Sequence, residues 1–390
     1  MAVLVGAQVK NACQVSGLDP LGKPILSVLF KEKFAIVDGR CTLGAEEAQL
    51  VEKPALHPDD EDLLAADTDL FPFKPLTDVV VKGHAYSYGR PGFTATVRVG
   101  AHSKVIQVHG DRRAELGPGG GARFSPAVPV ERVPLSYSHA YGGADRYAAE
   151  QAFAIARQSS ATVAELEFAQ YFSGSPFRYA RNPCGKGFVM GPDALAQAPL
   201  ELPNLEDPAQ PLREDSLFAR HVLCWPRMPL PQATDWVSYA WFPRIAYMAV
   251  VPPFALDIPF SEVDRGLVPK DLLSVTKLTP EQSFRIACGA SLGLQLPQLG
   301  GDLGGDAVVE LHSLNARQER LTFKLPHVRP RLWTDGRQGR FNEASAVLHT
   351  IEIAPDEMSV TLLWRGSAPA LRPYMDQELA KMPFKVELKV

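Results

Sequence analysis

The sequence has few cysteines, no long apolar run and almost no excess charge. Its 390 residues include five cysteines, which stand far apart at positions 13, 41, 184, 224 and 288. An odd number of scattered cysteines favours reduced thiols over a disulfide framework. No stretch approaches the roughly 18 apolar residues of a membrane span, and the N-terminal residues become polar too soon for a secretory signal. We therefore expect a soluble protein of the cytoplasm.

The charge and the motif content exclude several kinds of ligand. A net charge of −4 gives no electrostatic basis for binding nucleic acid or an anionic membrane surface. The histidines and cysteines include no His-x-His, HExxH or Cys-x-x-Cys pattern, so we expect no metal. The glycine-rich stretches at 117–121 and 300–305 lack the following Lys-Ser/Thr of a phosphate-binding loop. We therefore expect no cofactor.

Proline is abundant, and the apolar pattern is that of strands. There are 34 prolines, about 9% of the chain against a usual ~5%, which favours turns and irregular connections over long helices. Residues 93–100, FTATVRVG, alternate apolar and polar side chains with the period of a half-buried strand. The remaining strands are predicted at 23–30 and 33–39 around a turn at Lys31–Lys33, and at 78–86, 104–111, 306–314, 319–325, 347–354, 358–364 and 385–390.

Strands 78–86, 93–100 and 104–111 are joined by short connections, which predicts an antiparallel meander. Helices are predicted at 147–157, 161–172, from Thr279, and at 371–382, and the acidic stretch 57–69 is interpreted as a solvated loop. The predicted fold is mainly β, a β-rich α+β protein with antiparallel sheets packed as sandwich or barrel-like units and a few short helices. We interpret residues 1–390 as one module. A subdomain boundary is possible at 173–215, between a β-rich half, 1–172, and a second half, 216–390, that begins with an aromatic-rich segment.

Residues 69–86, DLFPFKPLTDVVVKGHAY, place a lysine between two prolines just before a strand. The prolines predict an extended lead-in over Leu70–Leu76, followed by a turn at Thr77 and Asp78. Two interpretations of Lys74 and Asp78 remain open. They form an exposed pair where the strand begins, or they form an internal clamp, since buried charges have to be paired.

Several further motifs follow in order. They are Gly110-Asp111-Arg112, Ala140-Tyr141-Gly142-Gly143, Arg181-Asn182-Pro183 with Gly185-Lys186-Gly187, and the C-terminal VLHTIEIAPDEMSVTLLWRG. Together with the Lys74–Asp78 stretch, they resemble the domain-of-unknown-function 2169 family. Between about 218 and 300 the chain departs from that pattern: Trp241-Phe242-Pro243-Arg244 is present, but Ile245-Ala246-Tyr247 replaces the expected Gly-Thr-Tyr-Asp type stretch.

The resemblance implies a function without chemistry of its own. Members of this family resemble adaptors or chaperones for bacterial type VI secretion toxins. The implied partners are a secreted toxin with a PAAR or PAAR-like region and the VgrG spike protein. The residues that we single out as motif or partner-binding candidates are Lys74, Asp78, Asp111, Arg112, Tyr141, Arg181, Asn182, Lys186, Trp225, Trp241 and Arg244.

Three alternatives stay open. Gly289-Ala290-Ser291-Leu292-Gly293 fits the G-x-S-x-G pattern of a serine hydrolase, although that motif has meaning only between a strand and a helix of a parallel sheet. Cys184 is interpreted either as an activated thiol, since the nearby positive charge of Lys186 lowers a thiol pKa, or as an ordinary cysteine in a turn. A third possibility is a structural component of the spike or baseplate.

The segment 218–254 is dense in aromatic residues. It contains Phe218, Trp225, Trp236, Tyr239, Trp241, Phe242, Tyr247 and Phe254. Such residues are enriched at protein interfaces, and they also make good core. The sequence leaves core and interface both open for this segment.

Overall fold

The chain is built around one large, curled β-sheet, here described from a computed structural model. The structure describes residues 2–6, 8–158, 177–220, 227–242, 244–245, 284–297 and 307–388. Three predictions lie outside the described residues: the helix at 161–172, the helix that begins at Thr279, and the partner-binding candidate Trp225.

The described strands run in chain order as follows: β1 (Ala2–Gly6), β2 (Gln8–Val9), β3 (Ala12–Leu18), β4 (Pro24–Val37), β5 (Arg40–Leu43), β6 (Ala55–His57), β7 (Asp60–Ala66), β8 (Leu76–Val81), β9 (His84–Tyr86), β10 (Gly92–Val99), β11 (His102–His109), β12 (Arg113–Leu116), β13 (Ala122–Phe124), β14 (Arg132–Pro134), β15 (Tyr141–Gly142), β16 (Lys186–Gly187), β17 (Leu200–Glu201), β18 (Leu205–Glu206), β19 (Gln295–Pro297), β20 (Val308–His312), β21 (Arg320–Lys324), β22 (Arg331–Asp335), β23 (Phe341–Ala344), β24 (Ala346–Ala354), β25 (Ser359–Pro369) and β26 (Phe384–Leu388). The α-helices of the described residues are α1 (Arg146–Gln158), α2 (Pro192–Gln197) and α3 (Asp376–Leu379). Short 3-10 helices occupy Tyr137–His139, Glu214–Ser216 and Phe284–Ala287.

The large sheet joins strands from both ends of the chain. Its strand order is β18-β11-β10-β20-β21-β5-β4-β25-β24-β8-β19, and β3 pairs with β4 beside β5. The sheet curls into a half-barrel, and the prediction of a mainly β fold with few short helices is confirmed. Strands on either side of 173–215 are neighbours in it, since β10 pairs with β20 and β4 pairs with β25.

The predicted turn at Lys31–Lys33 is wrong. β4 runs without a break through these residues, and β25 pairs with it from Ile25 to Ala35. The charges misled the prediction because Lys31 is buried against an aspartate and Lys33 pairs with Glu46 at 2.9 Å. A charged tripeptide can therefore lie inside a long central strand.

The N-terminal meander is also only partly as predicted. β10 and β11 form the expected antiparallel pair, but β8 lies elsewhere in the sheet, parallel to β24 and antiparallel to β19. The predicted strand 78–86 is divided into β8 and β9 by Gly83, whose φ of 124° suits glycine. Thr77 and Asp78 belong to β8, not to a turn.

A second, smaller sheet has the order β1-β26-β22-β23. Its strands β22 and β23 were not predicted, because the arginines and glycines of 329–340 conceal the apolar pattern. The predicted C-terminal strands are otherwise present as β20, β21, β24, β25 and β26, and the helix predicted at 147–157 is α1. The helix predicted at 371–382 is shorter, at Asp376–Leu379.

The main core packs against one face of β3, β4 and β25 in the large sheet. It includes Phe30, Phe34 and Trp364, whose rings stack or meet edge to face at 5.8 and 6.2 Å. The opposite face of β3, β4 and β25 carries Cys13, Leu29 and Leu363 in a smaller cluster. Among the described residues, no helix is long and apolar enough to cross a membrane.

Candidate functional site

Residues Asp67–Lys74, here called the crossing segment, lie over that second face of the sheet. Ser27 on β4 donates its hydroxyl to the carbonyl oxygen of Pro72 at 2.8 Å. The Pro72 ring presses on Gly17 of β3, where an added Cβ would lie 2.3 Å from Pro72 Cγ. Leu70 packs on the small cluster around Leu29. Proline stiffening lowers the entropy cost of holding the segment in this extended path.

The predicted solvated loop at 57–69 is only partly right, because residues 57–59 are exposed but the acidic residues Asp67 and Asp69 that begin this segment are buried. Asp69 pairs with Lys31 of β4 at 2.8 Å and accepts the main-chain N–H of Val51. Burial raises the pKa of Asp69, and Lys31 opposes that rise. Upstream, Asp60–Ala66 forms a hairpin with Ala55–His57 instead of a loop.

Lys74 and Asp78 form a buried ion pair. Lys74 Nζ lies 2.6 Å from Asp78 Oδ2, and neither side chain is more than 3% exposed. The lysine also donates to Thr350 Oγ1 at 3.3 Å and lies 5.9 Å from the centre of the Trp236 ring. The interpretation of this pair as exposed is wrong, and the lysine between two prolines acts as an internal clamp.

A second buried pair joins the other end of the crossing segment to the aromatic-rich segment. Arg244 Nη2 lies 2.6 Å from Asp67 Oδ2, and the guanidinium also donates to the carbonyls of Val237 and Ile286. The hydroxyl of Tyr239 donates to the other carboxylate oxygen of Asp67, Oδ1. The centre of the Tyr239 ring lies 3.9 Å from Arg244 Cζ.

Gly289 is the point where the two pairs meet. Its main-chain N–H donates to Asp78 Oδ2 at 2.7 Å. An added Cβ would stand 2.6 Å from Asp67 Oδ2 and 2.8 Å from Arg244 Nη1. A side chain therefore does not fit at position 289. The two ion pairs come this close together because the residue between them is a glycine.

Arg365 on β25 is buried without a carboxylate. Its guanidinium lies 4.6 Å from the ring centre of Phe73 in the crossing segment, and among the described residues no acid lies within ion-pair distance of it. Burial lowers the pKa of Arg365 to about 10. The nearby His349 stands at a β-bulge between β24 and β25. Burial, and then the charge of Lys74, lower its pKa well below the ordinary value.

Two of the sequence motifs interlock in a separate cluster. β15 of the Ala140–Gly143 motif pairs in parallel with β16 of the 181–187 motif. The buried Asn182 donates to the carbonyls of Tyr137 and Tyr141 at 2.8 and 3.0 Å. Gly142 has a φ of 155° and an added Cβ there would lie 2.1 Å from the carbonyl oxygen of Asn182, so the two loops fit together only with glycine.

Arg181 and the aromatic candidates complete this cluster. Arg181 is buried and donates to the Tyr179 hydroxyl at 2.7 Å and to the Met228 carbonyl at 3.1 Å. The Tyr141 ring meets Tyr179 edge to face at 5.1 Å. Trp241 is fully buried and meets Tyr137 edge to face at 5.2 Å. The described aromatic residues of 227–242 are therefore largely core.

Asp111 and Arg112 belong to a third polar cluster, which is more accessible to solvent. Arg112 pairs with the buried Glu206 and donates to the carbonyl of Pro203 at 3.0 Å. Asp111 accepts from Asn204 Nδ2 at 3.0 Å while its side chain faces solvent. Lys186 is half-buried, and desolvation lowers its pKa. Of the described candidates, Asp111, Arg112 and Lys186 are the ones with solvent access.

One comparison with known proteins found a match. A family model described as an uncharacterized protein conserved in bacteria, DUF2169, matches residues 21–365. The chain belongs to the DUF2169 family. The search of curated proteins and the search of solved structures each found no match.

The residues of the two chemical alternatives, Ser291 and Cys184, both lie in the described part of this DUF2169 chain. Ser291 is completely buried, and its G-x-S-x-G turn follows a 3-10 helix and precedes β19, the reverse of a strand–turn–helix elbow. Burial, then Asp60 and Asp62, raise the pKa of the Cys184 thiol. Its Sγ donates to Asn182 Oδ1 at 3.1 Å. The four described cysteines, Cys13, Cys41, Cys184 and Cys288, are free thiols.

Several members of the polar network around the crossing segment were not predicted from the sequence. They are Lys31, Asp67, Asp69, Gly289, His349 and Arg365. One signal was available: Asp67 and Asp69 alternate immediately before the Pro-Phe-Lys-Pro stretch. The distant partners, Lys31, Arg244 and Arg365, are between 38 and about 290 residues away in sequence, and no local pattern indicates such pairs.

Proposed function

We propose that this chain is a non-enzymatic adaptor that binds a type VI secretion toxin through its PAAR or PAAR-like region. It acts in the bacterial cytoplasm and helps to load the toxin onto the VgrG spike. The family membership and its motif set support this proposal. The observation that carries it is the burial of most of the motif side chains.

Buried, mutually paired charges do not offer a reactive group to a substrate. Asp67–Arg244, Asp69–Lys31 and Lys74–Asp78 instead fix the path of the crossing segment and its neighbours. Such a network costs desolvation, but removing one partner leaves an uncompensated charge, so it locks one conformation. A rigid surface of fixed shape is what an adaptor needs to recognise one client.

Loading requires release as well as capture. The adaptor shields apolar or incomplete surfaces of the toxin until the spike protein supplies replacement contacts. The handover proceeds when the toxin has a higher affinity for the spike than for the adaptor, since a partner shifts an equilibrium only by its differential affinity.

The experiment is to express a type VI secretion toxin that carries a PAAR or PAAR-like region, with and without this chain, in a secreting strain. The proposal predicts that the toxin is soluble and secreted only when the chain is present, and that the chain itself stays in the cells. A chain found in the secreted fraction with the spike would identify a structural component instead. A toxin that is soluble and secreted without the chain would refute the adaptor role.

A further inference from the structure

β3 has a free edge that lies in a groove. β4 covers one side of β3 from Ala12 to Leu18, whereas among the described residues β2 covers the other side only at Ala12 and Cys13. Within the described part of the chain, β3 from Gln14 to Leu18 is therefore an edge strand. Edge strands present unpaired main-chain donors and acceptors and are templates for another strand.

The hydrogen-bond pattern identifies which main-chain groups point outward. Lys31 donates its main-chain N–H to the carbonyl of Asn11 at 2.8 Å. Bonded and non-bonded pairs alternate along an antiparallel ladder, so Cys13, Val15 and Gly17 bond to β4. Ser16 and Leu18 then direct their N–H and C=O groups away from it. Within the described part of the chain, no main-chain group bonds to this outward side of Ser16 or Leu18.

The groove beside this edge has a volume of about 800 Å³. One wall carries Val15, Leu50 and Leu70, and the other carries Tyr374 and Leu379 at α3. Both faces of β3 thus open into walls with apolar side chains. A strand laid on the edge would alternate its side chains between these two walls, because successive residues of a strand point to opposite faces.

Three exposed apolar residues are near the residues of the groove in sequence. Leu21 lies in the turn after β3, and Leu371 follows Ala370, whose N–H donates to the carbonyl of Pro24. Met375 lies between the lining residues Tyr374 and Asp376. Leu371 and Met375 are 78% and 74% exposed. Single exposed apolar residues are ordinary, so the free strand edge and the groove mark the interaction surface.

The charges of the groove indicate the polarity of its occupant. Lys10 and Glu52, which carry opposite charges, line it near Cys13, whereas Asp376 lines it near Ser16, where Tyr374 donates its N–H to Ser16 Oγ. A complementary segment carries a basic residue at the Asp376 end. Complementary potentials set the register and orientation of a bound segment more than its affinity.

We propose that an extended segment of the captured toxin, about five residues long, adds to β3 as a further strand in this groove. This mode of recognition gives affinity through main-chain hydrogen bonds and specificity through alternate side-chain positions. The inference rests on the proposed adaptor function and names the surface that performs it.

The test compares Ser16→Pro with Ser16→Ala. Proline removes the outward N–H of Ser16 but not a hydrogen bond to β4, and edge strands tolerate it. Alanine keeps the N–H and loses only the hydroxyl. Binding of the purified toxin is measured by calorimetry, with melting curves to confirm that both variants fold. We expect Ser16→Pro to weaken binding by at least about tenfold and Ser16→Ala by no more than about twofold.

Hydrogen exchange provides a second measurement on the unaltered protein. The amides of Ser16 and Leu18 should exchange rapidly in the free chain and at least about tenfold more slowly in the complex. Equal affinity of the two Ser16 variants, or unchanged exchange at Ser16 and Leu18 in a complex that does form, overturns the β3 site and leaves the adaptor role standing. If the unaltered chain does not bind the toxin, both proposals fail.

Discussion

The main-chain N–H of Gly289 donates to Asp78 Oδ2 at 2.7 Å while Asp78 holds Lys74 at 2.6 Å. One carboxylate oxygen therefore connects a turn near residue 289 with the proline-stiffened segment more than 200 residues earlier. This contact explains why the sequence places a lysine between two prolines: the lysine is held inside, and the prolines hold its backbone.

Lys74→Met should destabilise the fold strongly. The substitution leaves Asp78 buried without its cation, and breaking such a pair costs about 3–5 kcal/mol in the free energy of unfolding. Urea denaturation measures the change. Lys33→Met is the control, because its partner Glu46 is exposed and the loss should stay within about 1 kcal/mol. If Lys74→Met kept full stability but abolished toxin binding, Lys74 would be a partner contact.

Gly289→Ala tests the junction of the two ion pairs. A methyl group at this position meets Asp67 and Arg244 at less than 3 Å, so we expect a loss of about 1–3 kcal/mol through overpacking. Gly121→Ala is a matched control, since an added Cβ there has no heavy atom within 4 Å. Equal melting temperatures for the two variants would show that the junction can relax freely.

Trp241→Ala should remove core packing. Trp241 is fully buried against Tyr137, and truncating a buried tryptophan costs about 3–5 kcal/mol. Thermal melting of this variant is compared with that of Leu371→Ala, which should change stability by no more than about 0.5 kcal/mol. A well-folded Trp241→Ala protein that no longer binds the toxin would reassign this residue to the interface.

Acidification should weaken the fold through His109. Burial, and then the charge of Arg112, lower its pKa to about 4, although Glu206 Oε2 lies 3.7 Å from the ring. Between its unfolded pKa near 6.5 and about 4, the unfolded chain binds more protons than the folded one, so stability falls as the pH falls. Urea midpoints at pH 7, 6, 5 and 4.5 should drop less steeply for His109→Gln. Parallel curves for the two proteins would contradict the assignment.

A fluorophosphonate probe should not label Ser291 in the native protein. The side chain is completely buried and its turn lacks the strand–turn–helix context that exposes a nucleophile. Labelling is followed by mass spectrometry, with Ser291→Ala as the reference. Labelling that is rapid in the native chain and absent from Ser291→Ala would support the hydrolase alternative.

The sequence was informative where structure is local. The alternation in 93–100 and the β-branched residues of 347–354 predicted strands that are present as β10 and β24. The local structure at the charged residues was harder to predict. Lys31 interrupts an apolar run, so it favoured a turn, and only its partner Asp69, which is 38 residues away, allows it to lie in a central strand. The pattern of neighbouring residues in one sequence does not indicate ion pairs between residues so far apart.

The same reason limited the prediction of the site. Lys74 and Asp78 are four residues apart and could be considered together from the sequence. Their further partners, Gly289 and Thr350, are brought in by β8 pairing with β19 and β24. Many other strands of the large sheet lie between β8 and its parallel neighbour β24 in sequence. The contact of Lys74 with Thr350 can therefore be predicted only when the topology of the sheet is known.

The mass of the complex in solution tests the central claim most directly. The chain is co-expressed with the toxin of the proposal, one that carries a PAAR or PAAR-like region, and size-exclusion chromatography with light scattering gives the mass of each peak. The proposed adaptor role predicts one stable peak whose mass exceeds 42.6 kDa by a whole number of toxin copies or adaptor–toxin units. Two separate peaks, at the masses of the free chain and of a soluble free toxin, would contradict it.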